Sequence, residues 1–342
     1  MINAPLTPHR WPVYGHDWAV DHLRKSMSHG RARHAYLITG TESLGKLTLA
    51  RAFAMTLNCT DPEANAANCP CGECRSCLRI VSGNHPDVTY AEHDATTGAL
   101  KIEEIRRMTS MLALKPFEAR HRIAIFPNFD RAQDRAQDAL LKTLEEPPPN
   151  AVLILLAEST DTLLSTITSR SQVIPLRPIP AEGVYAILTE RYQVEADHAH
   201  LLANLSAGRP GWAIRALGDS ALLDQRTDAL NMLEELLSRN RAGRFDLADG
   251  LSKDRLAIRP LLELWQTYWR DVLLLVTGSG LTPSNSDRIE SLERLARELD
   301  ANDALDAMQA TRTTLENITS TNVNARLALE VMFLDYPGLA RG

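Results

Sequence analysis

Five cysteines lie between Cys59 and Cys77, and none occurs elsewhere in the 342-residue chain. Cys71, Cys74 and Cys77 follow one another at CxxC spacing, with Gly72 free to make the tight turn, and Cys59 stands twelve positions upstream of Cys71. CxxC lets two sulfurs converge on one ion, and four thiolates close a tetrahedral zinc site that keeps no open position for chemistry. A structural Zn²⁺ on Cys59, Cys71, Cys74 and Cys77 is the expectation. The alternatives are a redox pair, which needs only two thiols, and an iron–sulfur cluster. Cys69, separated from Cys71 by Pro70 alone, is a bystander or a substitute for Cys59. A disulfide framework would spread its cysteines, so the cluster points to a reducing compartment.

The second candidate is the run GTESLGK at residues 40–46. It follows a short apolar run and opens a helical pattern, the context that a phosphate-binding loop requires. Gly40 and Gly45 let backbone N–H groups wrap phosphate oxygens, and Lys46 adds charge beside the helix N-terminus. The bland alternative is a Gly-rich strand–helix turn. The hydroxyl that should ligate Mg²⁺ is missing, because the next residue is Leu47. Thr48 comes one residue late, which on a helix turns it about 100° away. The apolar run 123–126 should end in an acidic pair, one carboxylate for the metal and one to polarise water. It ends in Pro127-Asn128. With both metal-binding elements gone, hydrolysis is not expected, while Lys46 leaves weak, passive ATP binding open. Arg170, in the run TSRS at 168–171, reads by itself as a surface cation at a helix end.

These residues need a scaffold that alternates strands and helices. Apolar runs at 35–38, 88–91, 123–126 and 151–156 read as strands. Helical patterns fall at 47–57, at 102–114 and after Asp130, read as an N-cap; the last stops at Pro147-Pro148-Pro149. Such alternation gives a parallel sheet covered on both faces. Beyond Pro175, Pro178 and Pro180 only helices are expected. Short ones at 181–217 break at Gly208-Arg209-Pro210-Gly211, leucines recur at helical spacing from Leu222, and 256–276 is apolar nearly all round and suited to a bundle interior. The fold class is α/β plus all-α. The longest apolar run, 151–157, is far short of the ~20 residues of a membrane span, and the start resembles no signal peptide, so a cytoplasmic protein is expected. A formal net charge of -6, with only Arg75 and Arg79 as cations near the cysteines, argues against a zinc-finger nucleic-acid binder.

The run DALLKTLEEPP at 138–148, TSRS at 168–171, the GTESLGK loop and the cysteine insertion together resemble the bacterial clamp-loader subunits of DNA polymerase III. His85-Pro86-Asp87 and NVNARLALEVMFLDY at 322–336 are also similar to that family, and the likeness is greatest to its delta-prime branch. The resemblance implies an AAA+ P-loop module over 1–178 with a zinc-binding insertion at 59–77. It further implies a small helical lid domain over 179–219 and a helical collar over 220–342 that joins a five-subunit ring. The ATP-hydrolysing tau/gamma relatives keep a Thr after the P-loop Lys, the acidic pair and a lid Arg. Here stand Leu47, Pro127-Asn128 and Gly211. The family's Ser-Arg-Cys motif becomes Ser169-Arg170-Ser171, and the family's arginine projects into the neighbouring ATP site as a trans finger. The implied role is a stator that does not hydrolyse ATP. Its implied partners are tau/gamma and delta subunits, with the sliding clamp and primed DNA reached through the complex during replication by the polymerase holoenzyme. The alternative is an active ATPase subunit of the tau/gamma type.

Overall fold

The computed structural model describes residues 11–28, 32–63, 69–320 and 323–338. The chain forms two compact units, one reaching to Ile187 and taking in Gly208–Trp212, the other made of Leu188–Ala207 and the chain from Ala213 onward. The first unit runs α1 (Asp17–Ser28), β1 (Ala35–Thr39), α2 (Lys46–Asn58), α3 (Arg75–Val81), β2 (Val88–Tyr90), α4 (Ile102–Leu112), β3 (Arg122–Phe126), α5 (Asp134–Glu145), β4 (Ala151–Ala157), α6 (Ser165–Arg170), β5 (Gln172–Pro175) and the start of α7 (Ala181–Tyr192).

The five strands form one parallel sheet of order β2-β3-β4-β1-β5. Every residue of β1 and β4 is buried, as strands covered on both faces must be. Alternation along the strands divides the core in two. Tyr36, Ile38, Ile125 and Ile154 pack with Leu23, Leu49 and Phe53, where Tyr36 meets Phe53 edge-on at 4.7 Å. Leu37, Ala124, Leu153 and Leu155 pack on the opposite face with Ile105, Met108, Leu140 and Leu144. The first unit is thus a parallel sheet with helices on both faces, and the described residues of the second unit are helical.

The structure changes several local readings. Asp130 does not cap α5: Phe129–Arg131 form a 3₁₀ turn, and the helix begins at Asp134 with Gln133 before it. The cause is Phe129, fully buried against Phe126 at 5.9 Å, which anchors the chain and delays the helix. β5, α1 and α3 join the elements expected from sequence.

The second unit takes the end of α7, α8 (Ala196–Leu205), α9 (Pro210–Gly218) beyond its first turn, α10 (Ser220–Ser238), α11 (Arg241–Ser252), α12 (Arg255–Val276), α13 (Ile289–Glu298), α14 (Ala301–Ser320) and α15 (Ala325–Asp335). Helix α12 packs against α10, α11, α13 and α14. It is one-sided rather than apolar all round: Ile258, Leu262, Trp265, Tyr268, Trp269 and Val272 form the buried stripe, while Leu256 is exposed. Fully buried Arg244 donates to the carbonyls of Leu237, Arg239, Phe333, Tyr336 and Pro337, which draws the ends of α10 and α15 together. Helix C-termini carry partial negative charge, so one guanidinium serves both. No described helix is long and apolar enough to cross a membrane.

Candidate metal centre and phosphate loop

Helix α2 delivers Cys59 as its C-cap, and Cys74 caps the start of α3 by accepting the Cys77 N–H at 3.4 Å. The Cys71 sulfur accepts the Cys74 N–H at 3.3 Å, the tight turn that CxxC spacing provides. These bonds bring the four sulfurs of Cys59, Cys71, Cys74 and Cys77 within 4.8 Å of one another. Individual separations are 3.6 Å for Cys59–Cys71, 4.0 Å for Cys59–Cys74 and 3.9 Å for Cys71–Cys77. A tetrahedral ion with Zn–S bonds of about 2.3 Å sets its sulfurs about 3.8 Å apart, so the donor set fits zinc. Burial pushes the Cys71 and Cys77 thiols up. Burial acts on Cys74 in the same sense, but hydrogen bonds from Thr60 and from the Cys77 N–H outweigh it and bring that thiol down to about 6. A cation among them would hold all four as thiolates. Cys69 lies outside the group; burial and the neighbouring Cys59 push its thiol up to about 12, and its carbonyl accepts from Trp11 Nε1 at 3.0 Å.

The GTESLGK loop joins β1 to α2. Gly40 has φ +139°, and a Cβ there would stand 2.6 Å from the Leu176 carbonyl oxygen, so only glycine fits. Gly45 precedes α2 in the left-handed region at φ +94°. Lys46 turns its ammonium back onto its own loop, donating to the carbonyls of Gly40 and Thr41, the latter at 2.9 Å. Leu47 packs against the hydrophobic core. Strand β3 ends at Phe126, and the following Asn128 is exposed in the left-handed region. Gly211 donates its N–H to the Ser43 carbonyl at 2.9 Å, and a Cβ at 211 would come within 2.7 Å of that oxygen. The position where the resemblance expects a lid arginine therefore lies flat against the phosphate loop.

Arg170 is the last residue of α6 and 36% exposed. One end of its guanidinium donates to the Thr166 carbonyl at 3.1 Å, and the other pairs with Glu145 at the end of α5 at 2.9 Å. Sequence reasoning did not single out Glu145; the acidic pair that closes the LLKTLEE helix is the signal that could have pointed to it.

Asp87 was also without an assigned role. Its fully buried carboxylate accepts the N–H groups of Phe117, Glu118 and Ala119 at 2.7, 2.9 and 2.9 Å, and Arg122 stands 3.4 Å away. Burial opposes its charge, but these donors prevail and hold the carboxyl below its ordinary range. This cage fixes the loop that leads into β3.

Residues 15–180 match the family described as "DNA polymerase III, delta subunit". The delta' subunit of DNA polymerase III from Bacillus subtilis is 28% identical over 277 residues, covering 80% of this chain and 82% of the relative. The delta' subunit from Pseudomonas aeruginosa is 29% identical, covering 70% and 68%. A gamma subunit from Buchnera aphidicola is 30% identical, covering 69% and 62%. A solved gamma subunit-related protein from Thermotoga maritima aligns over 92% of this chain and 97% of its own at 17% identity, with a TM-score of 0.45. The chain is thus similar to delta' and gamma subunits of DNA polymerase III. The relatives carry delta' and gamma names alike.

Proposed function

We propose that this chain is a clamp-loader stator of the delta-prime type. It hydrolyses no ATP itself and lends Arg170 in trans to a neighbouring ATPase site. The observation that carries this reading is Leu47: the position that should supply a magnesium hydroxyl is a half-buried leucine packed against the core. Pro127-Asn128 after β3 and Gly211 against Ser43 support it independently. A magnesium site without hydroxyl or carboxylate does not neutralise the charge of phosphoryl transfer. The guanidinium of Arg170 lies at the surface, where a γ-phosphate held by another subunit can reach it.

In this reading residues 179–219 serve as the lid and 220–342 as the collar of a five-membered ring with tau/gamma and delta subunits. That ring places the sliding clamp on primed DNA. Gly40, Gly45 and Lys46 would hold nucleotide weakly or not at all, and Cys59, Cys71, Cys74 and Cys77 would hold zinc. The zinc supplies a cross-link between α2 and α3 and no reaction step. The test is purified chain with Mg-ATP: no steady turnover is expected, and turnover abolished by Lys46→Ala would instead establish the active tau/gamma-type reading that the gamma relatives and the retained lysine favour.

A further inference from the structure

Both halves of the cysteine site reach the same loop. On one side, the carbonyl of Cys59 accepts from the Arg120 guanidinium. Its neighbour Asn58, 1% exposed, clasps His121 twice, donating to its carbonyl at 2.9 Å and accepting its N–H at 3.0 Å. On the other side, Ser76, next to Cys77, meets His85 Nε2 at 3.2 Å. His85 Nδ1 accepts the Asp87 N–H at 3.1 Å, which leaves the ring proton on Nε2 to donate to Ser76. Asp87 in turn holds the N–H groups of residues 117–119. Arg79 of α3 completes this side with an ion pair to Glu118 at 2.6 Å.

The loop so fastened, residues 113–121, contains neither helix nor strand. It carries Leu114 at 59% exposure and Phe117 at 81%, the most exposed large apolar side chain among the described residues. An aromatic ring left in water costs free energy, and here it sits on a backbone held by a buried carboxylate, an asparagine clasp and an arginine.

We propose that the four-cysteine site is a clasp for this loop, so that metal occupancy fixes the backbone of residues 117–121 and with it the presentation of Phe117. The proposal rests on the zinc reading of the four thiols. The physical reason is that the anchors sit on two separate elements, the end of α2 and helix α3. Four sulfurs all within 4.8 Å of one another stay together as thiolates only around a cation. Without it the ends of α2 and α3 separate, and the anchors separate with them. Linkage makes the effect reciprocal: the factor by which zinc suppresses loop opening is the factor by which opening the loop weakens zinc binding.

Hydrogen exchange on the full chain, zinc-loaded and chelated, tests the first half. Removing zinc is expected to speed exchange at the amides of 117–121 by about tenfold, the worth of one charge-assisted hydrogen bond. The second half uses Arg120→Ala, at an exposed position. This variant cuts one anchor between site and loop, so zinc removal should speed its loop exchange by a smaller factor than in the parent. A chain that binds zinc but whose loop exchange ignores its removal overturns the clasp, as does an Arg120→Ala variant whose loop exchange responds to zinc removal as fully as the parent's. A chain without zinc on elemental analysis overturns the zinc reading itself, and this inference with it.

Discussion

Arg170→Ala separates catalysis from architecture by a margin set by the structure. In the isolated chain Arg170 makes one ion pair with Glu145, both side chains being well exposed at 36% and 51%, and caps the carbonyl of Thr166. Exposed pairs of this kind are worth about 0.2–1 kcal/mol, so the substitution should lower stability by no more than about 1 kcal/mol. If Arg170 acts as the proposed finger, the same change in the assembled ring should cost about 10³–10⁵ in rate at the site it serves, or about 4–7 kcal/mol of barrier. The assay is single-turnover ATP hydrolysis by a ring reconstituted with tau/gamma and delta subunits, with assembly confirmed by gel filtration. Arg170→Lys should recover little, because an ammonium keeps the charge but lacks the fork that bridges two phosphate oxygens. Glu145→Gln cuts the tether alone and should shift the rate less than about fivefold. Hydrolysis unchanged by Arg170→Ala in an intact ring refutes the finger. A rate that falls only because the ring no longer assembles refutes it equally.

Asp87→Asn replaces one oxygen of the caged carboxylate with a donor and should cost about 2–4 kcal/mol at pH 7 in urea denaturation. Burial raises the Asp87 carboxyl, but its donors hold it below the ordinary range. Its stabilisation is therefore complete above the unfolded-state value near ~3.9 and lost as pH falls below it. The gap between parent and variant should close in acid, and a gap that stays constant from pH 7 to pH 3 contradicts the cage. Cys77→Ser should abolish the bound zinc on elemental analysis and lower the melting temperature; an equally stable variant would show that the metal holds nothing. Arg244→Met strips five carbonyls at two helix ends of their common donor and should cost about 3 kcal/mol in thermal unfolding. A loss under about 1 kcal/mol would mean that solvent replaces the guanidinium.

The sheet was legible wherever chemistry and periodicity coincide within a few residues. GTESLGK announces both a strand end and a helix start, and the apolar runs of β1, β3 and β4 are unbroken because both faces of each are covered. CxxCxxC likewise carries its own geometry. The edge strand β5 was missed because it is four residues long, only partly buried and closed by Pro175. Helix α11 escaped notice because Gly243 and Gly250 interrupt its composition, and its main anchor, Arg244, looks like any surface cation until α15 supplies the carbonyls. The tether of Arg170 and the cage around Asp87 depend on partners about 25 to 30 positions away. No local pattern encodes such pairs; the sheet brings them together.

The strand order has a consequence for the chain as it leaves the ribosome. β1 pairs only with β4 and β5, so the middle of the sheet waits for roughly a hundred further residues, about 5–20 s of synthesis. The four thiols are all made by residue 77, well before β4 begins at Ala151. The metal centre can therefore be the first tertiary structure that the nascent protein acquires, a knot tied near one end of a sheet that does not yet exist.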